Sequence, residues 1–163
     1  MNLESTMGTL AYVGLGSNLG DRRAVLESAL AALAPRRASR ILETAPWGRE
    51  DQPPFLNAVA ELDTTLEPGD LLRLLLDLER RHGRVRAGTW GPRTLDLDLL
   101  LHGDRIVREP DLVIPHPRLA QRRFVLDGLA ELCPDLLVPA IGRRVRDLLR
   151  DCPDPVSCRE GRP

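Results

Sequence analysis

The chain has 163 residues, of which 42% are hydrophobic and 29% charged, and its formal net charge is -1. This length favours one compact domain, and the near-neutral charge gives no support for a nucleic-acid or membrane-surface partner. No apolar run approaches the ~20 residues that cross a bilayer. Three cysteines without metal-ligand spacing favour a reducing compartment. We expect one cytoplasmic domain over residues 1–163, with flexible tails at 1–8 and 152–163.

The first half of the chain predicts a strand, a helix and two further strands. Residues 10–15 are an apolar run typical of a buried strand, and GSNLGD after it predicts a tight turn. Asp21 suits the N-cap of a helix whose apolar positions recur until Pro35. Strands are then predicted at residues 39–44 and 55–62, with a polar loop between them.

The second half begins with a helix predicted over residues 68–82, which Gly83 ends. A basic, glycine-containing loop at 84–93 leads into a strand predicted at 95–101. After a turn, residues 105–107 are expected to extend that strand.

A further helix is predicted over residues 117–132, beyond the core. The order β-α-β-β-α-β indicates an α+β, ferredoxin-like fold with an antiparallel sheet, both helices on one face, and C-terminal additions. We therefore expect the opposite face and its loops to be free for a site. The fold alone does not indicate a reaction, since many functions share it.

Two aspartates alternate with leucines on the last predicted strand of this core. Asp96 and Asp98 are two residues apart in LDLDLLL, so on a strand both carboxylates point to one face. A solvated strand face would explain the pattern, but neighbouring carboxylates in a partly buried site repel each other unless a cation holds both. Oxygen ligands favour Mg²⁺ with substrate phosphates, so the pair predicts a phosphate-transfer site.

Arginines lie close before the acidic strand. Arg80 and Arg81 suit a solvated helix end, whereas Arg84, Arg86 and Arg93 flank glycines in a loop able to close over a ligand. Guanidinium groups bind phosphate oxygens in bidentate fashion, so this loop predicts a polyphosphate. The segment GLGSNLG matches neither common nucleotide-binding motif, and a strand-to-helix turn explains it equally well.

Four of the five aromatic residues fall in or beside predicted loops: Trp47, Phe55, Trp90 and Phe124. Core packing would explain any one of them, but together they favour a planar ligand that stacks on rings. Phe55 and Asn57 share a strand face, which offers a ring and an amide for the edge of a heterocycle. Thr44 can add a polar contact. Purine and pterin both fit these groups.

Taken together, these residues and the segments around them resemble the 6-hydroxymethyl-7,8-dihydropterin pyrophosphokinase family of folate biosynthesis. Five blocks carry the resemblance in order: YVGLGSNLGDR (12–22), ETAPWGREDQPPFLNAV (43–59), ERRHGRVR (79–86), WGPRTLDLDLLL (90–101) and IPHPRLAQRRFVL (114–126). It implies a ferredoxin-like monomer that transfers a diphosphoryl group from ATP to the pterin's hydroxymethyl oxygen, releasing AMP.

The resemblance also implies residue roles. Asp96 and Asp98 would bind two Mg²⁺ ions, and catalysis would involve Arg84, Arg86, Arg93, Asp96 and Asp98. The ATP-binding positions would be Glu79, Arg86, Trp90, Arg93, Leu99, His116 and Arg122. The pterin-binding positions would be Thr44, Ala45, Trp47, Phe55, Asn57 and Phe124, with the two phenylalanines sandwiching the ring. Departures from some members concern individual ATP contacts: Leu76, Asp111, Val113, Pro117 and Ala120.

Rival interpretations share parts of this pattern. A metal-dependent nuclease or phosphatase could use the same acidic pair without a pterin. A ferredoxin-like RNA-binding module would need exposed aromatics and a basic sheet face. The acidic pair and the net charge of -1 argue against such a module. An interaction domain that has lost catalysis would not need the acidic pair, the arginines and Asn57 together.

Overall fold

The computed structural model describes residues 7–45, 53–83, 94–155 and 159–160 of the chain. The strands are β1 (Thr9–Ser17), β2 (Arg37–Ala38), β3 (Leu42–Thr44), β4 (Phe55–Thr64), β5 (Asp96–His102), β6 (Val107–Glu109), β7 (Leu112–Ile114) and β8 (Arg159–Glu160). The α-helices are α1 (Arg22–Leu33), α2 (Pro68–Arg81), α3 (Arg123–Leu132) and α4 (Val145–Arg150), with a 3-10 turn at Leu119–Gln121.

An antiparallel sheet of order β5-β1-β4-β3-β8 forms the centre of the molecule, and β2 also pairs with β4. The central strand β1 pairs antiparallel with β4 on one side and β5 on the other. This is the predicted ferredoxin-like α+β topology. The second strand of that topology is interrupted, because β2 and β3 pair with different parts of β4.

Local sequence signals explain where the two core helices begin and end. The Asp21 carboxylate accepts a hydrogen bond from the Ala24 amide at 3.1 Å and so caps α1, as predicted. Pro68 opens α2, where its missing N–H costs no helical hydrogen bond. Gly83 follows α2 with a φ of +74°, a left-handed conformation that glycine adopts without strain.

One face of the sheet packs against α1 and α2. Each helix buries an apolar stripe, including Leu26 in α1 and Leu75 in α2, against strand residues such as Val13, Leu97 and Leu99. Burying one such leucine contributes about 2 kcal/mol, so this layer accounts for much of the drive to fold. The prediction that both core helices lie on one face is confirmed.

The other face is not entirely free, and the expectation that it would be was wrong. A second apolar cluster, drawn from α3, α4 and strand residues such as Val59 and Leu100, covers part of it. Gly128 shows how closely α3 approaches, since a Cβ built there would lie 2.4 Å from a methyl group of Val59. The face is therefore divided between a covered half under α3 and a half that continues to the loops beside Phe55 and Asp96.

Three further details differ from the sequence expectations. Residues 105–107 do not extend β5, because Val107 pairs with Ile114 in a separate β6–β7 hairpin. The helix expected over 117–132 is a 3-10 turn followed by α3. In the expected C-terminal tail, residues 152–155 pack against the start of α3, where Asp154 is 3% exposed, and β8 pairs with β3.

Within the described part of the chain, no helix has the length and apolar character needed to cross a bilayer.

Candidate active site

The acidic pair lies at the start of β5, on the face turned away from α1 and α2. Leu97 and Leu99 are buried in the layer between the sheet and these helices, while Asp96 and Asp98 alternate with them and are partly exposed. The Asp98 side chain is 32% exposed. The prediction that both carboxylates share a face is confirmed, and the alternation of strand side chains is the reason.

Two cationic or polar side chains approach Asp98. Arg122 Nη1 lies 3.4 Å from Asp98 Oδ2, and His116 Nε2 lies 3.8 Å from Asp98 Oδ1. The main chain fixes the second of these neighbours, because the His116 amide donates a hydrogen bond to the Leu100 carbonyl on β5 at 2.9 Å. The structure thus brings together three residues that the sequence had assigned to ATP and metal binding.

The hydrogen bonds of His116 identify its protonated nitrogen. Nδ1 accepts a hydrogen bond from the Arg118 amide at 3.1 Å, so in the neutral ring the proton resides on Nε2. Burial, together with the neighbouring charges of Arg122 and Arg118, lowers the pKa of His116 to about 4, against an opposing effect of Asp96. At neutral pH the ring therefore presents an N–H donor beside Asp98 rather than a free base.

The second group of site residues lies across β1 from the acidic pair. Asn57, on β4, is 6% exposed and its Nδ2 donates a 2.7 Å hydrogen bond to Thr44 Oγ1 on β3. Phe55 stands two residues before Asn57, on the same face of the strand, and is only partly buried. The arrangement holds an amide in a fixed orientation next to an accessible ring.

Phe124 and Arg122 come from the beginning of α3. The Arg122 guanidinium carbon lies 5.9 Å from the centroid of the Phe124 ring, within the range of a cation–π contact. Among the described residues, the Arg122 side chain makes no capping hydrogen bond to this helix. The buried Asp154 carboxylate instead accepts a hydrogen bond from the Arg123 amide at 3.1 Å, so a distant segment holds the helix start beside Asp98.

Two predicted ATP-binding residues, Leu99 and Glu79, lie on or beside β5. The Leu99 side chain is buried among the helix-face residues, and the sheet separates it from the acidic pair. Glu79, on α2, is 2% exposed and its Oε1 accepts a 2.8 Å hydrogen bond from the Leu97 amide. Glu79 thereby ties α2 to β5 between the two aspartates.

Ala45 is exposed at the end of β3, next to Thr44. The remaining predicted site residues fall outside the described residues: Trp47, Arg84, Arg86, Trp90 and Arg93.

The donors present suit magnesium better than a transition metal. In the described residues no group of three or more His, Cys, Asp or Glu side chains could enclose an ion. Two partly exposed carboxylates on one strand face match the way Mg²⁺ uses one or two protein carboxylates and completes its shell with water and phosphate oxygens. Asp96 and Asp98 therefore fit an ion that arrives with a polyphosphate.

The sequence patterns did not identify two residues of this region. Gly16 pairs with Asn57 on one side and Asp96 on the other, and the only signal was its place in a glycine-rich segment explained as a turn. Asp154 gave no signal, because its capping contact joins residues 31 positions apart.

Comparison with known proteins places these residues in a family. A family model described as 7,8-dihydro-6-hydroxymethylpterin-pyrophosphokinase (HPPK) matches residues 12–134. Two relatives are named 2-amino-4-hydroxy-6-hydroxymethyldihydropteridine pyrophosphokinase. The one from Pseudomonas aeruginosa is 46% identical over 148 residues, which cover 87% of this chain and 91% of the relative. The one from Bacillus subtilis is 45% identical over 133 residues, covering 78% and 80%.

Solved structures agree on the fold. A crystal structure of an HPPK-DHPS in complex with substrates has a TM-score of 0.71 at 13% identity, covering 88% of this chain and 43% of that one. A wild-type Plasmodium falciparum HPPK-DHPS with SDX-DHP has a TM-score of 0.70 at 15% identity, covering 88% and 44%. The chain spans less than half the length of these fused proteins, and at this identity the likeness concerns the fold alone.

Proposed function

This chain belongs to the 7,8-dihydro-6-hydroxymethylpterin-pyrophosphokinase family, and we propose that it transfers the diphosphoryl group of ATP to 6-hydroxymethyl-7,8-dihydropterin. In this reaction the hydroxymethyl oxygen attacks the β-phosphorus of ATP. The bond from that phosphorus to the α–β bridging oxygen breaks, AMP leaves, and the hydroxyl proton is released. The single observation that carries the proposal is that an acidic face on β5 and an oriented amide and ring on β4 flank the same strand, β1.

The acidic pair forms the phosphate half of the site. Asp96 and Asp98 would hold two Mg²⁺ ions, and their partial exposure would leave room for the remaining oxygen ligands to come from ATP. Bound magnesium neutralises charge on the phosphate oxygens and polarises the phosphorus that is attacked. The protein's own contribution here is to fix two carboxylates on one rigid strand.

Arg122 and His116 act as donors to the phosphates. Arg122 carries a permanent charge 3.4 Å from Asp98, and His116 presents its Nε2 proton in the same direction. Donors held in place before reaction stabilise the charge that develops in the transition state without reorganising. The neutral, already hydrogen-bonded ring makes His116 a phosphate contact rather than the base that takes the hydroxyl proton.

The ring half of the site supplies recognition of the acceptor. The hydrogen bond to Thr44 fixes the Asn57 amide, which then offers a donor and an acceptor to the amide-like edge of a pterin. Phe55 and Phe124 supply faces for stacking, and Ala45 and Trp47 complete the pocket as in the family. Asn57 and Asp96 both pair with Gly16 of β1, so we propose that a planar heterocycle held here directs its hydroxymethyl group toward Asp96.

The arginine loop completes the phosphate site. Arg84, Arg86 and Arg93, together with Trp90, belong to the basic segment that leads into β5, and we propose that they close over ATP during the reaction. Closure would exclude water and place guanidinium groups on the transferred phosphates. We propose that Glu79 and Leu99 lie around ATP, and Glu79 also supports β5 by accepting a hydrogen bond from the Leu97 amide.

The decisive experiment mixes the protein with Mg²⁺, ATP and the hydroxymethyl dihydropterin and follows AMP. We expect AMP to appear only when the pterin is present, with the diphosphorylated pterin in equal amount. Release of inorganic phosphate from ATP at a rate that does not depend on the pterin would favour the phosphatase alternative. A salt-sensitive shift of RNA without pterin-dependent AMP would favour the RNA-binding alternative.

We propose further that the protein works as a cytoplasmic monomer on these two small-molecule substrates. Helices pack against both faces of the one sheet, which supports a single-chain catalytic unit. Size-exclusion chromatography with light scattering at the assay concentration tests the monomer directly.

A further inference from the structure

Gly16 lies between the two halves of the site, and its backbone does not demand glycine. It is the eighth residue of β1, paired with Asn57 on β4 and with Asp96 on β5. Its φ is not among the positive values of the glycines, which are found at Gly20, Gly83, Gly103 and Gly142. A strand conformation of this kind accepts any L-residue. The reason for glycine must therefore be space.

The space that a side chain of residue 16 would fill lies in the acceptor pocket. A Cβ built on Gly16 would lie 3.1 Å from Asn57 Oδ1, tighter than ordinary van der Waals contact, and 3.6 Å from Phe55 Cδ1. Both atoms belong to groups proposed to recognise the heterocycle. A side chain at this position would stand up from the sheet between the amide and the ring on one side and Asp96 on the other.

We propose that Gly16 is a specificity-determining residue, whose missing side chain leaves room for the edge of the pterin ring between Asn57 and the metal-binding Asp96. The inference rests on the proposed function and assigns it a residue beyond the stacking rings and the amide. With Phe55 and Phe124 on the two faces of the ring, its edge needs this clearance, and even one methyl group in such a pocket changes binding by about 10-fold to 200-fold.

Gly14 provides a matched control on the same strand. It lies two residues earlier, so its absent side chain would point to the same face. A Cβ there would meet Leu100 Cδ1 at 3.6 Å, an ordinary contact with a flexible apolar side chain. Gly14→Ala therefore adds one methyl to β1 without entering the pocket, whereas Gly16→Ala adds the same methyl beside Asn57.

The test compares the wild-type protein, Gly14→Ala and Gly16→Ala. We expect Gly16→Ala to raise the KM for the pterin about 10-fold or more, with the affinity for MgATP unchanged, while Gly14→Ala stays near the wild type in both. An unchanged pterin KM in folded Gly16→Ala would overturn the inference. An equal loss of pterin and MgATP affinity would overturn it too, since that indicates general damage to the strand.

A measurement on the wild-type protein decides the question if Gly16→Ala does not fold. The ¹⁵N-labelled protein is saturated with Mg²⁺ and a non-hydrolysable ATP analogue and titrated with the hydroxymethyl dihydropterin. The Gly16 amide signal should shift more than that of Gly14, and a Gly16 signal that stays in place would contradict the proposal. Absence of pterin-dependent AMP from the wild type and Gly14→Ala would instead refute the proposed function itself.

Discussion

Two carboxylate regions on the same sheet face differ in how they are held. The site half, made of Gly16, Phe55, Asn57, Asp96 and Asp98, continues to the loops and keeps its aspartates partly exposed. The anchored half, made of Tyr12, Val59 and Glu61, lies under α3. Glu61 is 1% exposed, and accepts 2.8 Å hydrogen bonds from Tyr12 Oη and Arg37 Nη2.

The difference teaches how to separate structural from functional acidic residues in one fold. Short hydrogen bonds from neighbours surround Glu61, and Arg37 also donates to the Leu132 carbonyl at the end of α3. Its carboxylate therefore fastens a helix to the sheet. Asp98 lies 3.4 Å from Arg122 and 3.8 Å from His116, and retains exposure to solvent. This exposure suits a carboxylate that must accept a metal ion and release it.

The largest expected effect comes from the site half. Asp98→Asn should lower the rate of AMP release by about 10³-fold, because the metal it helps to hold supplies several kcal/mol of transition-state stabilisation. The melting temperature should hardly change, since the side chain is not a core element. Asp104→Asn, in the turn after the same strand, is the control and should keep wild-type activity.

A near-normal rate of AMP release by Asp98→Asn at ordinary Mg²⁺ would contradict the functional role that distinguishes Asp98 from Glu61.

The second effect tests how closely α3 must approach the anchored half. Gly128→Ala should cost about 1–3 kcal/mol of unfolding free energy, because its Cβ would overlap a Val59 methyl group. Gly69→Ala is the control within another helix. No described atom lies within 4 Å of a Cβ at that position, so helix propensity should make this variant neutral or slightly more stable. Urea denaturation of both proteins measures the contrast.

If Gly128→Ala were as stable as Gly69→Ala, the tight contact between α3 and β4 would not be real.

The third effect concerns Glu61 itself. Glu61→Gln replaces an accepting oxygen with a donor that faces Tyr12 and Arg37, and should cost about 1–2 kcal/mol of stability at neutral pH. At saturating substrate the turnover should remain that of the wild type, because this carboxylate serves the fold. A loss of turnover without a loss of stability would contradict its structural role.

The smallest effect is the pH dependence of that contribution. The Arg37 guanidinium, helped by Tyr12 and opposed by burial, holds the pKa of Glu61 below its ordinary value of 4.5. As pH falls through 4.5, the unfolded chain binds a proton that the folded one does not, so the unfolding free energy decreases. Glu61→Gln cannot take up this proton, so its unfolding free energy should fall less steeply than that of the wild type between pH 5 and 3. Urea denaturation of both proteins at steps of roughly half a pH unit measures the difference.

The sequence predicted those parts of the molecule that local patterns encode. The alternation in LDLDLLL placed Asp96 and Asp98 on one face, and Asp21 marked the start of α1. The ferredoxin-like order of elements followed from hydrophobic periodicity and turn residues. These features depend on residues within a few positions of one another, so the pattern carries them without knowledge of the fold.

What the sequence did not predict depends on contacts between distant segments. Nothing near Gly128 indicates that α3 will press against Val59, and the covered half of the sheet was therefore expected to be free. The hydrogen bond that Glu79 accepts from the Leu97 amide, 18 residues away along the chain, likewise had no local signal. The roles of Trp47, Arg84, Arg86, Trp90 and Arg93 stay predictions.

The site depends on Asp154, which lies outside the part of the chain that the family model matches. The family match ends at residue 134, twenty positions before this carboxylate, which caps the helix that carries Arg122. A version of the protein trimmed to its recognised domain would keep all the proposed ligand-binding residues and still lose the cap. Domain boundaries drawn from sequence families can therefore cut through the support of a site while leaving every site residue in place.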